Sequence, residues 1–148
     1  MHTENTILIQ APLEQVFGTA ADLPKWPEIL PHYRSVVYLQ RSPERTVIRM
    51  AARRGWIPIR WTSELEVDRS KHEIRFRHLK AFTRGMVVVW TFKQTGDQIR
   101  VTIRHDLNSR IPIVGGILEA IIGRFFITHV AGQTLAHMKR FLEGSAGT

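Results

Sequence analysis

From Tyr33 to Leu107 the chain alternates apolar and charged residues with a period of two, in short runs parted by tight turns. A period of two is the signature of extended chain with one apolar and one wetted face. The clearest run puts Ile57, Ile59, Trp61, Ser63, Leu65 and Val67 on one side, and Arg60, Thr62, Glu64 and Glu66 on the other. Ile48, Met50 and Ala52 oppose Arg49 and Arg53. Ile74, Phe76 and His78 oppose Arg75 and Arg77. Met86, Val88, Trp90 and Phe92 share a face, and so do Ile99, Val101, Ile103, His105 and Leu107. Ser42-Pro43-Glu44, Asp68-Arg69-Ser70-Lys71 and Thr95-Gly96-Asp97 supply turns. Strands joined by turns this short must be antiparallel neighbours, because a parallel crossover needs a dozen or more residues. The resulting sheet has an apolar side that something else in the chain must cover.

The flanking segments provide the cover. Residues 3–10 read as a first strand. Ala11-Pro12 opens a helix with Leu13, Val16 and Phe17 at helical spacing, and Asp22-Leu23-Pro24 breaks it. A short turn through Lys25 to Leu30 stops at Pro31. After Pro112 and Gly115-Gly116, residues 117–142 read as a long helix. Its stripe is Leu118, Ile121, Ile122, Phe125, Val130, Leu135, Met138 and Leu142. The closing GSAGT is expected to fray. No linker or repeat divides the chain, so residues 1–148 are expected to form one α+β domain. In it a curved antiparallel sheet of about seven strands wraps a long C-terminal helix. A twisted sheet around one helix tends to leave a cavity between them, the default place for a ligand.

Composition narrows the chemistry. The absence of cysteine excludes disulfides, thiolate metal sites and cysteine nucleophiles, and it is compatible with the cytoplasmic location expected here. No apolar run approaches the ~20 residues of a transmembrane segment, and the opening MHTENTILIQAP lacks the features of a signal peptide. The net charge of +8 favours anionic partners. The candidates are nucleic acid, anionic lipid and an acidic carrier protein, of which nucleic acid is the least expected. Outward Arg49, Arg53, Arg60, Arg75, Arg77, Arg100 and Arg104 share their face with Glu64, Glu66 and Asp106. That mixture also describes an ordinary solvated surface.

The order of elements, with the motif Asp22-Leu23-Pro24-Lys25-Trp26-Pro27-Glu28-Ile29-Leu30-Pro31-His32-Tyr33, resembles the polyketide cyclase/dehydrase family. That family belongs to the START-like (SRPBCC, helix-grip, START/Bet v 1-like) superfamily. Trp26, Pro27, Glu28, Tyr33 and Trp61 match residues of its aromatase/cyclases in the same order. Coenzyme-Q-binding START-like proteins are similar through a related Tyr-Pro-Glu-Phe-Leu-Pro segment, and ribosome-associating toxins of the superfamily look alike at a coarser level. The resemblance implies a hydrophobic small molecule as partner: a polyketide, a quinone or a lipid. It implies either cofactor-independent cyclisation or dehydration of a poly-ketone, or non-catalytic carriage; the likeness to the toxins adds a third alternative, an interaction protein that uses the basic sheet face. A cavity arginine proposed to assist the family's chemistry falls at Leu65 here.

Strand parity turns Tyr33, Trp61, Ser63, His78, Trp90 and His105 inward, and helical spacing from Phe125 brings His129 beside the inner stripe. Imidazole and phenol move protons near neutral pH, as aldol closure and dehydration require. Tyr33, His78 and His105 are therefore the candidate catalytic residues. Trp26, Trp61, Ser63, Met86, Trp90, Phe125 and His129 are the candidate ligand contacts. Each inward histidine has a structural alternative, as a hydrogen-bonded core residue. No cofactor is expected. No metal is expected either, since His78, His105 and His129 lie on different elements with no inward carboxylate among them.

Overall fold

The computed structural model describes residues 2–80, 83–107 and 126–146. The alternating runs become strands. The elements are β1 (His2–Ile9), α1 (Leu13–Ala21), a 3-10 turn (Leu23–Lys25) leading into α2 (Trp26–Ile29), β2 (Tyr33–Arg41), β3 (Thr46–Arg54), β4 (Ile57–Asp68), β5 (Glu73–His78), β6 (Val87–Thr95), β7 (Gln98–Asp106) and α3 (Thr128–Ala146). The strands form one seven-stranded sheet in the order β1-β7-β6-β5-β4-β3-β2. Every pairing is antiparallel. Consecutive strands from β2 to β7 are neighbours, as their short turns require, and β1 closes the β7 edge.

Two of the expected turns show their chemistry. Asp68 Oδ1 accepts from the backbone N–H of Ser70 (3.0 Å) and of Lys71 (3.1 Å), which bends the chain out of β4. Gly96 turns β6 into β7 at a φ of 61°, a left-handed conformation that a side chain resists. The β3–β4 connection is a two-residue turn of Gly55 and Trp56, with Gly55 at φ 60°.

β2 departs from simple alternation. Register shifts lie between Tyr33 and Ser35 and between Tyr38 and Gln40. Tyr33 is buried, yet Val37 and Leu39, which unbroken alternation would place on its face, are exposed. A bulge adds one residue to one strand of a pair and so reverses the facing of all that follows.

The core lies between the sheet's inner face and the helices. Ile48, Met50, Ile74, Phe76, Val88, Trp90, Ile99, Val101 and Ile103 are buried on the sheet, and Val130, Leu135, Met138 and Leu142 on α3. The expected helical stretch 117–125, with Leu118, Ile121, Ile122 and Phe125, lies outside the described residues. At its other end α3 continues beyond Leu142 through Gly144 to Ala146. Glycine only weakens a helix, by about 1 kcal/mol, and nothing there forbids continuation as proline would. Polar contacts stitch α3 to the β1 edge. Lys139 Nζ donates to the Leu8 carbonyl (2.6 Å) and pairs with Glu143 (2.7 Å), whose carboxylate accepts from the Gln10 N–H (3.0 Å). Asn5 Nδ2 donates to the Thr128 carbonyl (3.2 Å).

Since Leu142 is fully buried in that interface, Leu142→Ala is expected to lower the unfolding free energy by about 2–5 kcal/mol. Chemical denaturation followed by circular dichroism measures the loss.

Candidate functional site

The sheet's inner face and α3 do not meet everywhere. Between them lies a cavity of about 350 Å³ with a mainly apolar wall. Trp26, Tyr33, Trp61, His78, Met86, Trp90 and His105 line it, all seven of which the sequence pattern assigned to a site. Ser63 and His129 are not among its lining residues. Ser63 is fully buried beside His78 in the β4–β5 register, with its hydroxyl unpartnered. His129 is half-buried on the first turn of α3. Phe125 lies outside the described residues.

Aromatic rings build one end of the cavity. α2 starts at Trp26, whose indole is buried and donates from Nε1 to the Ala20 carbonyl at the end of α1 (3.2 Å). Its ring meets Tyr33 edge-on at 5.1 Å and Trp90 at 5.4 Å between centroids. Tyr33 is in turn 5.9 Å from Trp61, edge-on, and Trp61 lies parallel to His78 at 6.2 Å. The indole therefore ties the short-helix segment to β2, β5 and β6. Edge-to-face pairs of this kind add about 0.5–1.5 kcal/mol each beyond burial.

The polar atoms are few. His78 Nδ1 is 2.8 Å from the Thr83 hydroxyl, another wall residue. His105 Nδ1 is buried without a partner. Burial holds both imidazoles neutral, with the His78 pKa pushed down to about 4 and that of His105 to about 3, the nearby His78 adding to the effect on His105. The Tyr33 phenol is raised by burial, which the Thr134 hydroxyl partly offsets, so it stays protonated. The wall thus offers a neutral base and a neutral acid at pH 7, with no buried charge among these groups.

His32 and Thr134 were not assigned a role from sequence. Thr134 Oγ donates to the Val130 carbonyl (2.8 Å), spending its one proton, so at 2.8 Å from His32 Nε2 it must accept. His32 is therefore the neutral Nε2–H tautomer, in keeping with its buried, unpartnered Nδ1 and a pKa lowered to about 4 by burial and the charge of His137. A lone threonine inside the apolar stripe of α3 was the available signal. Thr134 joins Val130, Ala131, Phe126 and Ile127 on the helix side of the cavity. Arg60, which parity turns to the outer face, is exposed and still borders the cavity. The position that the resemblance implies for a cavity arginine is Leu65, which is buried, uncharged and not among the cavity's lining residues. Among the described residues no three histidine or carboxylate side chains are arranged to hold a metal ion, and no helix is long and apolar enough to cross a membrane.

Residues 9–138 match the family model described as "Polyketide cyclase / dehydrase and lipid transport". A protein of Streptomyces cyaneus that carries the provisional name polyketide cyclase is 32% identical over 111 residues, 71% of each chain. Among solved structures, a protein of Thermus thermophilus superposes with a TM-score of 0.81 at 23% identity, covering 98% of this chain and 99% of its own. The Zhui aromatase/cyclase from Streptomyces sp. R1128 superposes with a TM-score of 0.72 at 20% identity, covering 95% of each. These likenesses, with that to a START superfamily protein of Mycobacterium smegmatis, give the chain the α+β helix-grip fold.

The lowered histidines set a pH dependence. The unfolded chain takes up protons near the ordinary imidazole value of 6.5, while folded His32, His78 and His105 resist until about pH 4 to 3. Between those limits the unfolded state binds more protons, so their contribution to stability is full above pH 6.5 and falls as pH drops through that window. Urea titrations at stepped pH are expected to show this slope, and to show it reduced in His78→Gln and again in the His78→Gln/His105→Gln pair.

Proposed function

The chain belongs to the polyketide cyclase/dehydrase and lipid transport family, and from that premise we propose that it binds a poly-ketone or related hydrophobic molecule in this cavity and promotes its cyclisation or dehydration. The observation that carries the reading is the composition of the wall. A neutral imidazole at His105, a second at His78 and a protonated phenol at Tyr33 border one otherwise apolar chamber of about 350 Å³.

Ring closure of a poly-ketone needs a base to take a proton from a methylene between carbonyls, and an acid to meet the oxygen of the carbonyl attacked. A carbon–carbon bond forms, the carbonyl oxygen becomes a hydroxyl, and the base is left protonated. Dehydration then removes a proton and that hydroxyl as water, and the base again cycles. In the proposed roles His105 takes the methylene proton and Tyr33 gives its own to the ketone oxygen; the proton gained by His105 then passes to the Tyr33 phenolate and closes the cycle, while neutral His78, steadied by Thr83, orients a ketone oxygen. No charged side chain is needed, in keeping with Leu65 at the arginine position. The tryptophans limit how an extended chain can fold. Hydrophobic burial would supply the affinity, at about 25 cal/mol per Å² of apolar surface.

A second reading has an observation of its own. Leu65 lacks the charge that the resemblance implies for catalysis, and a wall so largely apolar also suits a carrier of a lipid or quinone without turnover. The same variants separate the two. With a linear poly-ketone, His105→Ala is expected to lower turnover by about 10²–10⁴-fold. Tyr33→Phe is expected to lower turnover or shift the product pattern, with affinity nearly unchanged in both. Product analysis by liquid chromatography and mass spectrometry, beside calorimetric affinity, checks this. Binding without any product in the parent chain establishes the carrier.

A further inference from the structure

The β3–β4 hairpin carries a feature that neither folding nor the cavity uses. Its turn residue Trp56 is 88% exposed, against 47% or less for the other exposed large apolar residues among those described. The remaining tryptophans have found other surroundings: Trp26 and Trp90 are buried, and Trp61 is half-buried in the cavity wall. An indole left in water at a tip forgoes the free energy of burying a large apolar ring, and nothing in the turn requires it. The positive φ is at Gly55, and any residue could follow.

Charge surrounds this indole. Residues 45–63 contain Arg45, Arg49, Arg53, Arg54 and Arg60 and no carboxylate. The register sets Arg53 opposite Pro58 and Ala51 opposite Arg60, so Arg53 and Arg60 are diagonal neighbours on the outer face. Both are exposed, and neither has an ion-pair partner among the described residues. Arg45, farther along the hairpin, pairs with Glu64. At the tip a single exposed aromatic ring therefore stands beside Arg53 and Arg60, two exposed cations without an ion-pair partner among the described residues. It also adjoins the cavity, since Pro58, Ile59 and Arg60 belong to both hairpin and cavity wall.

We propose that this hairpin tip docks the protein on an anionic lipid bilayer, with Trp56 entering the headgroup region and Arg53 and Arg60 facing lipid phosphates. Tryptophan prefers the membrane–water interface, where its ring is sheltered and its N–H remains hydrogen-bonded. Each arginine near an anionic surface adds about 1 kcal/mol. A two-residue turn is convex and narrow. It offers little of the roughly 800 Å² per partner that a stable protein interface buries, but it can enter a soft, continuous phase. Docking there would bring the adjoining cavity wall to the surface from which a hydrophobic ligand leaves. That use rests on the ligand-binding reading above; the docking itself does not.

The test mixes the full chain with vesicles of phosphatidylcholine alone, or with phosphatidylglycerol added, and measures sedimentation and tryptophan emission. Binding is expected only to the anionic vesicles, weakening as salt rises, with a blue shift that disappears in Trp56→Phe. Trp56→Ser is expected to bind at least fivefold more weakly. Arg53→Gln and Arg60→Gln should each bind about fivefold more weakly, the equivalent of about 1 kcal/mol. Melting temperatures of these exposed-site variants report folding. The proposal is overturned if anionic vesicles do not bind at low ionic strength, or if all the folded variants bind like the parent. It is overturned in favour of an acidic protein partner if vesicles leave Trp56 emission unchanged while purified acyl carrier protein shifts it. Loss of ligand binding in the cavity with vesicle binding intact would leave docking standing and count against the cavity reading alone.

Discussion

A single helix about 10 Å wide cannot cover a sheet of seven strands, which at about 4.8 Å per strand spans nearly three times that width. The inner face nevertheless carries large apolar residues from end to end, from Ile48 on β3 to Ile99 on β7. The mismatch has two remedies, and the molecule uses both. α3 covers the β1 side, held by Lys139, Glu143 and Asn5. The short helices bring Trp26 in among Tyr33, Phe76 and Trp90. What neither remedy fills is the cavity.

The cavity's chemistry follows from its dryness. Removing water penalises charge, so the same burial that gives an apolar ligand a place also keeps His78, His105 and Tyr33 uncharged at neutral pH. A neutral imidazole can accept a proton and a protonated phenol can donate one, while the burial that lowers the first pKa and raises the second weakens each for that task. A buried arginine at position 65 would have required a counter-charge, and Leu65 avoids that need. His32 and Thr134 join the motif to α3 without charge, the imidazole donating to the hydroxyl and the hydroxyl to the Val130 carbonyl, with His32 Nδ1 left unpartnered. The outer surface follows opposite rules. Water screens its arginines, several are paired or interspersed with acids, and among the described residues the β3–β4 tip sets cations beside the most exposed ring.

Strand content, order and antiparallel pairing were legible because period two and short turns leave almost no alternative. The inward facing of Trp61, His78, Trp90 and His105 was legible for the same reason: β4 to β7 run without register breaks in their pairings. Tyr33 was assigned correctly to the cavity side only because it precedes the first bulge. Counting onward from it fails at Val37 and Leu39, since a bulge is a local choice of backbone that no residue in Arg34-Ser35 or Leu39-Gln40 announces. Ser63 illustrates a different limit. Parity gave its side correctly, yet its hydroxyl is buried in the wall's depth beside His78 and does not reach the cavity lining.

From β3 to β7 the sequence by itself determined which residues face in and out, because alternation is a property of neighbours along one chain; on β2 the bulges decided it instead. It also determined the absence of thiol chemistry and, through the Trp26 motif and the order of elements, the family. Tertiary structure alone decided which inward residues border empty space and which are packed against one another. It decided that Thr134 meets His32 across 102 positions of chain, that burial holds His32, His78 and His105 neutral, and that Arg60 borders the cavity from an outward position. Those outcomes depend on distance and dehydration between distant segments. Both arise only when a sheet too wide for its helix curves around it and shuts out water.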